Sequence, residues 1–113
     1  MADVLVHCAN LHQDYHSDQK KVDYIISEFD YFWETSYGVT DASFPSCDVN
    51  RPEKGDPTKL MGIMNHMLNH DILGIVVPNQ IDAAKTNSAK SIQKQIDLCE
   101  GNWGRRPNVV LVS

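Results

Sequence analysis

A chain of 113 residues, 42% hydrophobic and 22% charged, has the size and composition of one globular domain with a modest core. Its formal charge of −5, with the acidic residues scattered rather than blocked, argues against a nucleic-acid partner and against an acidic disordered tail. No apolar run approaches the roughly 20 residues that span a bilayer, so membrane insertion is not expected.

Met1 to His7 lacks the basic and long apolar regions of a signal peptide. Asp3 to His7 is rich in β-branched residues and reads as a first strand. Cys8 to Tyr15 has no clean period and reads as a loop or a single helical turn. Ser17 to Glu34 is predicted as a helix: Ser17 or Asp18 suits the N-cap, and Val22, Ile25, Ile26, Phe29, Phe32 and Trp33 recur at helical steps. Tyr31 and Tyr37 fall off that stripe and are expected to be exposed or at an interface. Gly38 ends the pattern. Thr40 to Lys59 is a long loop punctuated by Pro45, Pro52, Gly55 and Pro57.

Leu60 to Leu68 returns to apolar character and predicts a strand centred on Met61–Asn65. Ile72 to Pro78 is another apolar run, and periodicity leaves open whether it is a strand or a buried loop. Ser88 to Glu100 predicts a second helix, with Thr86, Asn87 and Ser88 competing for the N-cap. Ala89, Ile92, Ile96 and Cys99 share one of its faces, and Gly101 suits a left-handed C-cap. Asn108 to Val112 carries four consecutive apolar residues, the pattern of a strand covered on both faces. Strands alternating with helices imply βαβ units and a mainly parallel sheet in a single α/β domain over 1–113.

The five histidines invite a metal reading, in which His7, Cys8, His12 and His16 are the nearest set. Their spacing matches no zinc pattern, so neither a metal nor a cofactor is expected. Arg105 and Arg106 precede the last strand and suit structural or surface roles, while Arg51 lies in the loop. Asn65 and His66 lie near the C-terminal end of a strand, where barrel chemistry resides, and are the candidate ligand contacts. No complete acid–base pair is identifiable, so no catalytic residue is assigned. The three cysteines, Cys8, Cys47 and Cys99, either all stay reduced or form one bridge that leaves a thiol free or open to a second chain. There is no Asn-x-Ser/Thr glycosylation site.

The runs Asp23-Tyr24-Ile25-Ile26-Ser27-Glu28-Phe29-Asp30-Tyr31-Phe32-Trp33-Glu34-Thr35, Phe44-Pro45-Ser46-Cys47-Asp48-Val49-Asn50-Arg51-Pro52, Asn65-His66-Met67-Leu68 and Trp103 to Val112 resemble fungal phospholipase-C-like phosphodiesterases. These are secreted TIM-barrel proteins related to phosphatidylinositol-specific phospholipase C, and the resemblance runs from about Asp14 to Val112. Its four runs arrive in the family's order. The family's paired histidines, with supporting Asp and Arg, lie mostly on early strands that this sequence does not match, so the resemblance implies a chain that is not an enzyme. The sequence departs from the pattern at Val6 to Gln13 and again at Ser113, where the family continues. The resemblance also implies that Cys47 pairs with Cys99, that Cys8 is the remaining free or intermolecular thiol, and that the protein is extracellular.

The fold expected is a βαβαβ fragment of a TIM-type barrel, its small parallel sheet completed by dimerisation. The function expected is that of a non-catalytic fungal interaction protein, related by association to small immunomodulatory mushroom proteins, with a homodimer and a cell-surface receptor as partners. The alternative is a phosphodiesterase remnant that binds or hydrolyses phosphoinositol-type ligands.

Overall fold

The computed structural model describes residues 24–113. The chain divides into two compact units at the Tyr31–Phe32 boundary, and each is taken by itself. The predicted strand at Asp3–His7, the histidines His7, His12 and His16, and Cys8 lie outside the described residues, as does the first part of the predicted helix from Ser17.

In the first unit, the described part of that predicted helix holds only a 3-10 turn, Glu28–Asp30, closed by the Tyr31 amide donating to the Glu28 carbonyl at 3.0 Å. In the second unit, Phe32–Glu34 is not helical either. It is strand β1, paired in parallel with β2, Met61–His66, in the register Phe32 to Met61 and Glu34 to Ile63. Phe29, Phe32 and Trp33 mimic a helical stripe by their three- and four-residue spacing. The aromatic residues at 32 and 33 nevertheless favour a pleated, buried environment, and tertiary pairing overrides local helix propensity.

The second unit carries a three-stranded parallel sheet in the order β1, β2, β5, where β5 is Val109–Val112. Among the described residues the connection from β1 to β2 is the long loop rather than a helix. That loop runs back along the free side of β1. The Glu34 amide donates to the Arg51 carbonyl at 2.8 Å, and the Asn50 amide donates to the Glu34 carbonyl at 2.8 Å. The connection from β2 to β5 holds an antiparallel hairpin of β3, Asn69–Ile72, and β4, Ile75–Pro78. After it come the one-turn helix α1, Ala83–Thr86, and the long helix α2, Ala89–Trp103. The apolar run at Ile72–Pro78 is strand rather than buried loop, with Ile72 ending β3 and Ile75–Pro78 forming β4, but most of its side chains are exposed.

Ser88 wins the N-cap of α2 by accepting from the Ser91 amide at 3.3 Å. The helix runs through Gly101 and stops at Gly104, whose φ of 70° is the left-handed cap expected three residues earlier. Ile92, Ile96 and Cys99 face the sheet as predicted, while Ala89 is exposed. They pack with Trp33, Met64 and Val110, which the register places on one sheet face. Trp33 and Trp103 meet edge to face with ring centres 6.2 Å apart. Gly62 suits this packing, because a Cβ there would stand 3.0 Å from the Trp33 ring, a tight contact against a buried side chain. β5 is half-buried rather than covered on both faces, and it forms an edge of the sheet among the described residues.

Candidate functional site

Parallel strands deliver their C-terminal ends to one side of a sheet, and the loops that leave there build the site in α/β proteins. Here β1 ends on Glu34 and β2 on Asn65-His66. Their side chains alternate, so Glu34 and Asn65 share one sheet face and His66 points to the other, toward α2.

Glu34 is buried and paired with Arg51, whose Nε and Nη2 both reach Oε1 of the carboxylate. The Arg51 guanidinium lies over the Tyr37 ring, 4.9 Å from its centre. Asn65 donates from Nδ2 to Glu34 Oε2 at 3.1 Å and to the Thr35 carbonyl at 2.7 Å. The Asn65 amide donates to Thr35 Oγ1 at 2.9 Å. The side chains thus carry the β1–β2 pairing past the end of the ladder, and the buried charge of Glu34 is met by a cation and an amide together.

His66 is fully buried. Its Nδ1 lies 2.6 Å from Gln95 Oε1, and its Nε2 lies 2.9 Å from the Thr86 carbonyl and 3.0 Å from Ser91 Oγ. Gln95 is oriented by its own donation from Nε2 to the Ser46 carbonyl at 3.2 Å. The Phe44 ring stacks on the imidazole at 3.9 Å and holds Phe44 in a left-handed backbone conformation, φ 45°. His66 therefore ties β2, α2, the Thr86 turn and the long loop into one node.

The loop is fastened a second time by the disulfide Cys47–Cys99, with a Cα separation of 5.2 Å. Trp103 Nε1 donates to the Cys47 carbonyl at 2.8 Å beside it. Arg105 donates to the Thr58 carbonyl at 2.8 Å and pins the turn before β2, a structural role. Arg106 is exposed and lies 3.8 Å from Glu100.

Above these supports lies a cavity of about 410 Å³, lined by Thr35, Ser36, Asp41, Phe44, Ser46 and Asn50 among others. Asp41 and Asp48 are the charged residues in its lining. The Ser43 hydroxyl, and secondarily its amide, donate to Asp41 and hold its carboxyl below the usual range. Hydroxyls and carboxylates suit a polyhydroxylated or cationic group and repel a phosphate. A second, open cleft of about 510 Å³ begins at Ala42 and Ser43 and carries Lys85, Lys90 and Lys94. Asp82 lines the same cleft.

Of the sequence-predicted contacts, Asn65 and His66 are adjacent but face opposite ways, and both are buried and hydrogen-bonded. Glu34, Thr35, Phe44 and Gln95 were not anticipated. Glu34 was read as a helix end, and its partner Arg51 is distant in sequence. Among the described residues no group of three metal-ligating side chains comes together, and no helix is long and apolar enough to cross a membrane.

A family model described as PI-PLC X 1 matches residues 9–113. The chain belongs to the PI-PLC X family. A PI-PLC X domain-containing protein 1 of the fungus Arthroderma benhamiae is 40% identical over 102 residues, covering 88% of this chain and 33% of the relative. A second protein of that organism, named an uncharacterized secreted protein, is 37% identical over 114 residues, covering 92% of this chain and 26% of the relative. This PI-PLC X chain thus spans about a third or less of the length of the curated relatives it matches. No solved structure matches it.

Proposed function

We propose that this PI-PLC X chain is a secreted, non-catalytic interaction protein. The observation that carries this reading is the use made of its reactive groups. At the strand ends, Glu34 is held by Arg51 and Asn65, and both ring nitrogens of His66 are engaged in full burial. A general base must reach the proton it removes, and neither group has a path to a substrate. Secretion is supported by the Cys47–Cys99 disulfide and by the secreted relative.

The interaction takes two partners. A second copy of the chain covers the β5 edge as a homodimer, and a cell-surface receptor on mammalian immune cells receives the immunomodulatory signal. Sedimentation velocity at micromolar concentration tests the first: a stable monomer removes it. Cytokine release from immune cells, with endotoxin removed, tests the second: no release above buffer removes it.

A second reading is favoured by one observation, the hydroxyl-rich cavity adjoining the lysine-bearing cleft. That pairing of surfaces suits a phosphoinositol-type ligand, polyol to the cavity and phosphate to the lysines. Titration calorimetry with inositol phosphates measures it. Saturable binding weakened by Lys90→Glu supports the second reading, and no heat at millimolar ligand rejects it.

A further inference from the structure

His66 is sealed from solvent, but one of the groups it touches is a hydroxyl of the lysine-bearing cleft. Gln95 donates from Nε2 to the Ser46 carbonyl at 3.2 Å, which turns its Oε1 toward His66 Nδ1 at 2.6 Å. An amide oxygen only accepts, so Nδ1 carries the N–H. In the neutral ring that leaves Nε2 as an acceptor. Two groups lie against it, the Thr86 carbonyl at 2.9 Å and Ser91 Oγ at 3.0 Å. The carbonyl cannot donate, so the Ser91 hydroxyl donates to Nε2. Ser91, His66 and Gln95 thus stand in the relation of nucleophile, base and orienting acceptor, each within hydrogen-bond reach of the next. Ser91 is half-buried and lines the cleft of about 510 Å³ that carries Lys85, Lys90 and Lys94.

We propose that Ser91 is an activated nucleophile that takes an acyl group from a donor whose leaving group is anionic. Ser91 Oγ attacks the donor's carbonyl carbon, and its proton passes to His66 Nε2. The imidazolium so formed meets an acceptor at each nitrogen, Gln95 Oε1 and the Thr86 carbonyl, which gives the third contact of the ring its use. The Oγ–C bond forms, the donor's C–O bond breaks with its electron pair, and the leaving oxygen takes the proton from Nε2. Lys94 follows Ser91 by three positions on α2, and Lys90 lies one turn before Lys94, so both cations line the cleft beside the attacking oxygen. Asp82, the acid of the cleft, accepts from Asn79 Nδ2 at 2.9 Å. Ser43 and Ser88 line the same cleft with other engagements. The Ser43 hydroxyl donates to Asp41 at 2.7 Å, and the Ser88 hydroxyl accepts from the Ser91 amide at 3.3 Å. The product is a modified chain and not turnover, so this inference stands apart from both readings of the function, and its failure leaves them unchanged.

Incubation of the full chain with acetyl phosphate and, separately, with p-nitrophenyl acetate, followed by peptide mapping in a mass spectrometer, tests the proposal. The wild type is expected to gain an acetyl ester on Ser91 about a hundredfold faster than on Ser43 or Ser88, the acceleration that a positioned general base supplies. Ser91→Ala is expected to remove that ester, and a folded His66→Gln variant to slow its formation at Ser91 to the rate of Ser88. The comparison among the three serines is made within the wild type and decides the matter should His66→Gln misfold. Lys90→Glu is expected to lower the rate with acetyl phosphate about tenfold relative to the rate with p-nitrophenyl acetate, because only the first donor releases a phosphate. The proposal is overturned if Ser91 gains no acetyl group, if Ser43 or Ser88 reacts as fast, if a folded His66→Gln variant reacts as fast as the wild type, or if Lys90→Glu leaves the ratio of the two donors unchanged.

Discussion

At the scale of single residues, burial decides what each polar group can do. Glu34 and Arg51 form a pair whose carboxylate side is nearly solvent-free. Such pairs add little net stability over an apolar replacement, but breaking one leaves a buried charge. Arg51→Met is therefore expected to lower unfolding stability by about 3 kcal/mol in urea titration. A loss below about 1 kcal/mol would place the pair in the surface class. The double change with Glu34→Gln is expected to cost less than the sum of the singles, since the two side chains share one interaction. None of this was legible in the sequence. Glu34 and Arg51 are separated by a loop with no periodic signal, and only the parallel pairing of β1 brings Asn65 beside them. Asn65 and His66 were found from their place at a strand end, but their burial, which makes them supports, depends on Phe44 and Gln95 arriving from elsewhere.

At the scale of elements, legibility followed length and period. Helix α2 repeats its apolar face over several turns, so Ile92, Ile96 and Cys99 were readable as core. β5 was readable because four apolar residues in succession, three of them Val, suit a strand. β1 has only three residues, too few to show alternation, and its aromatic residues continued a false helical stripe. The hairpin misled in the other direction, because apolar composition ordinarily means burial and here it does not. The end of α2 offers a paired test. Gly101 lies inside the helix with open space around its Cβ position, so Gly101→Ala is expected to stabilise by about 0.5–1 kcal/mol. Gly104 sits at φ 70°, where Gly104→Ala is expected to destabilise by about 1 kcal/mol. Thermal unfolding of the two variants should move in opposite directions, and equal shifts would contradict the cap placement.

At the scale of the whole molecule, the long loop behaves as part of the fold because α2 and β1 both hold it. The Cys47–Cys99 bridge spans 52 residues of sequence. By loop-closure entropy its removal in Cys47→Ala/Cys99→Ala is expected to cost about 4 kcal/mol, read as a lower denaturation midpoint. Unchanged stability would mean that His66, Phe44 and the Trp103 bond to Cys47 hold the loop unaided. That firmness joins the scales: Glu34, Asn65 and His66, which resemble site residues by their place at strand ends, fasten the loop to the sheet. The account is tested most directly by turnover of phosphatidylinositol vesicles by the purified 113-residue chain. It predicts no phosphodiester cleavage above buffer. Cleavage by the wild type that disappears in a folded His66→Gln variant would contradict it.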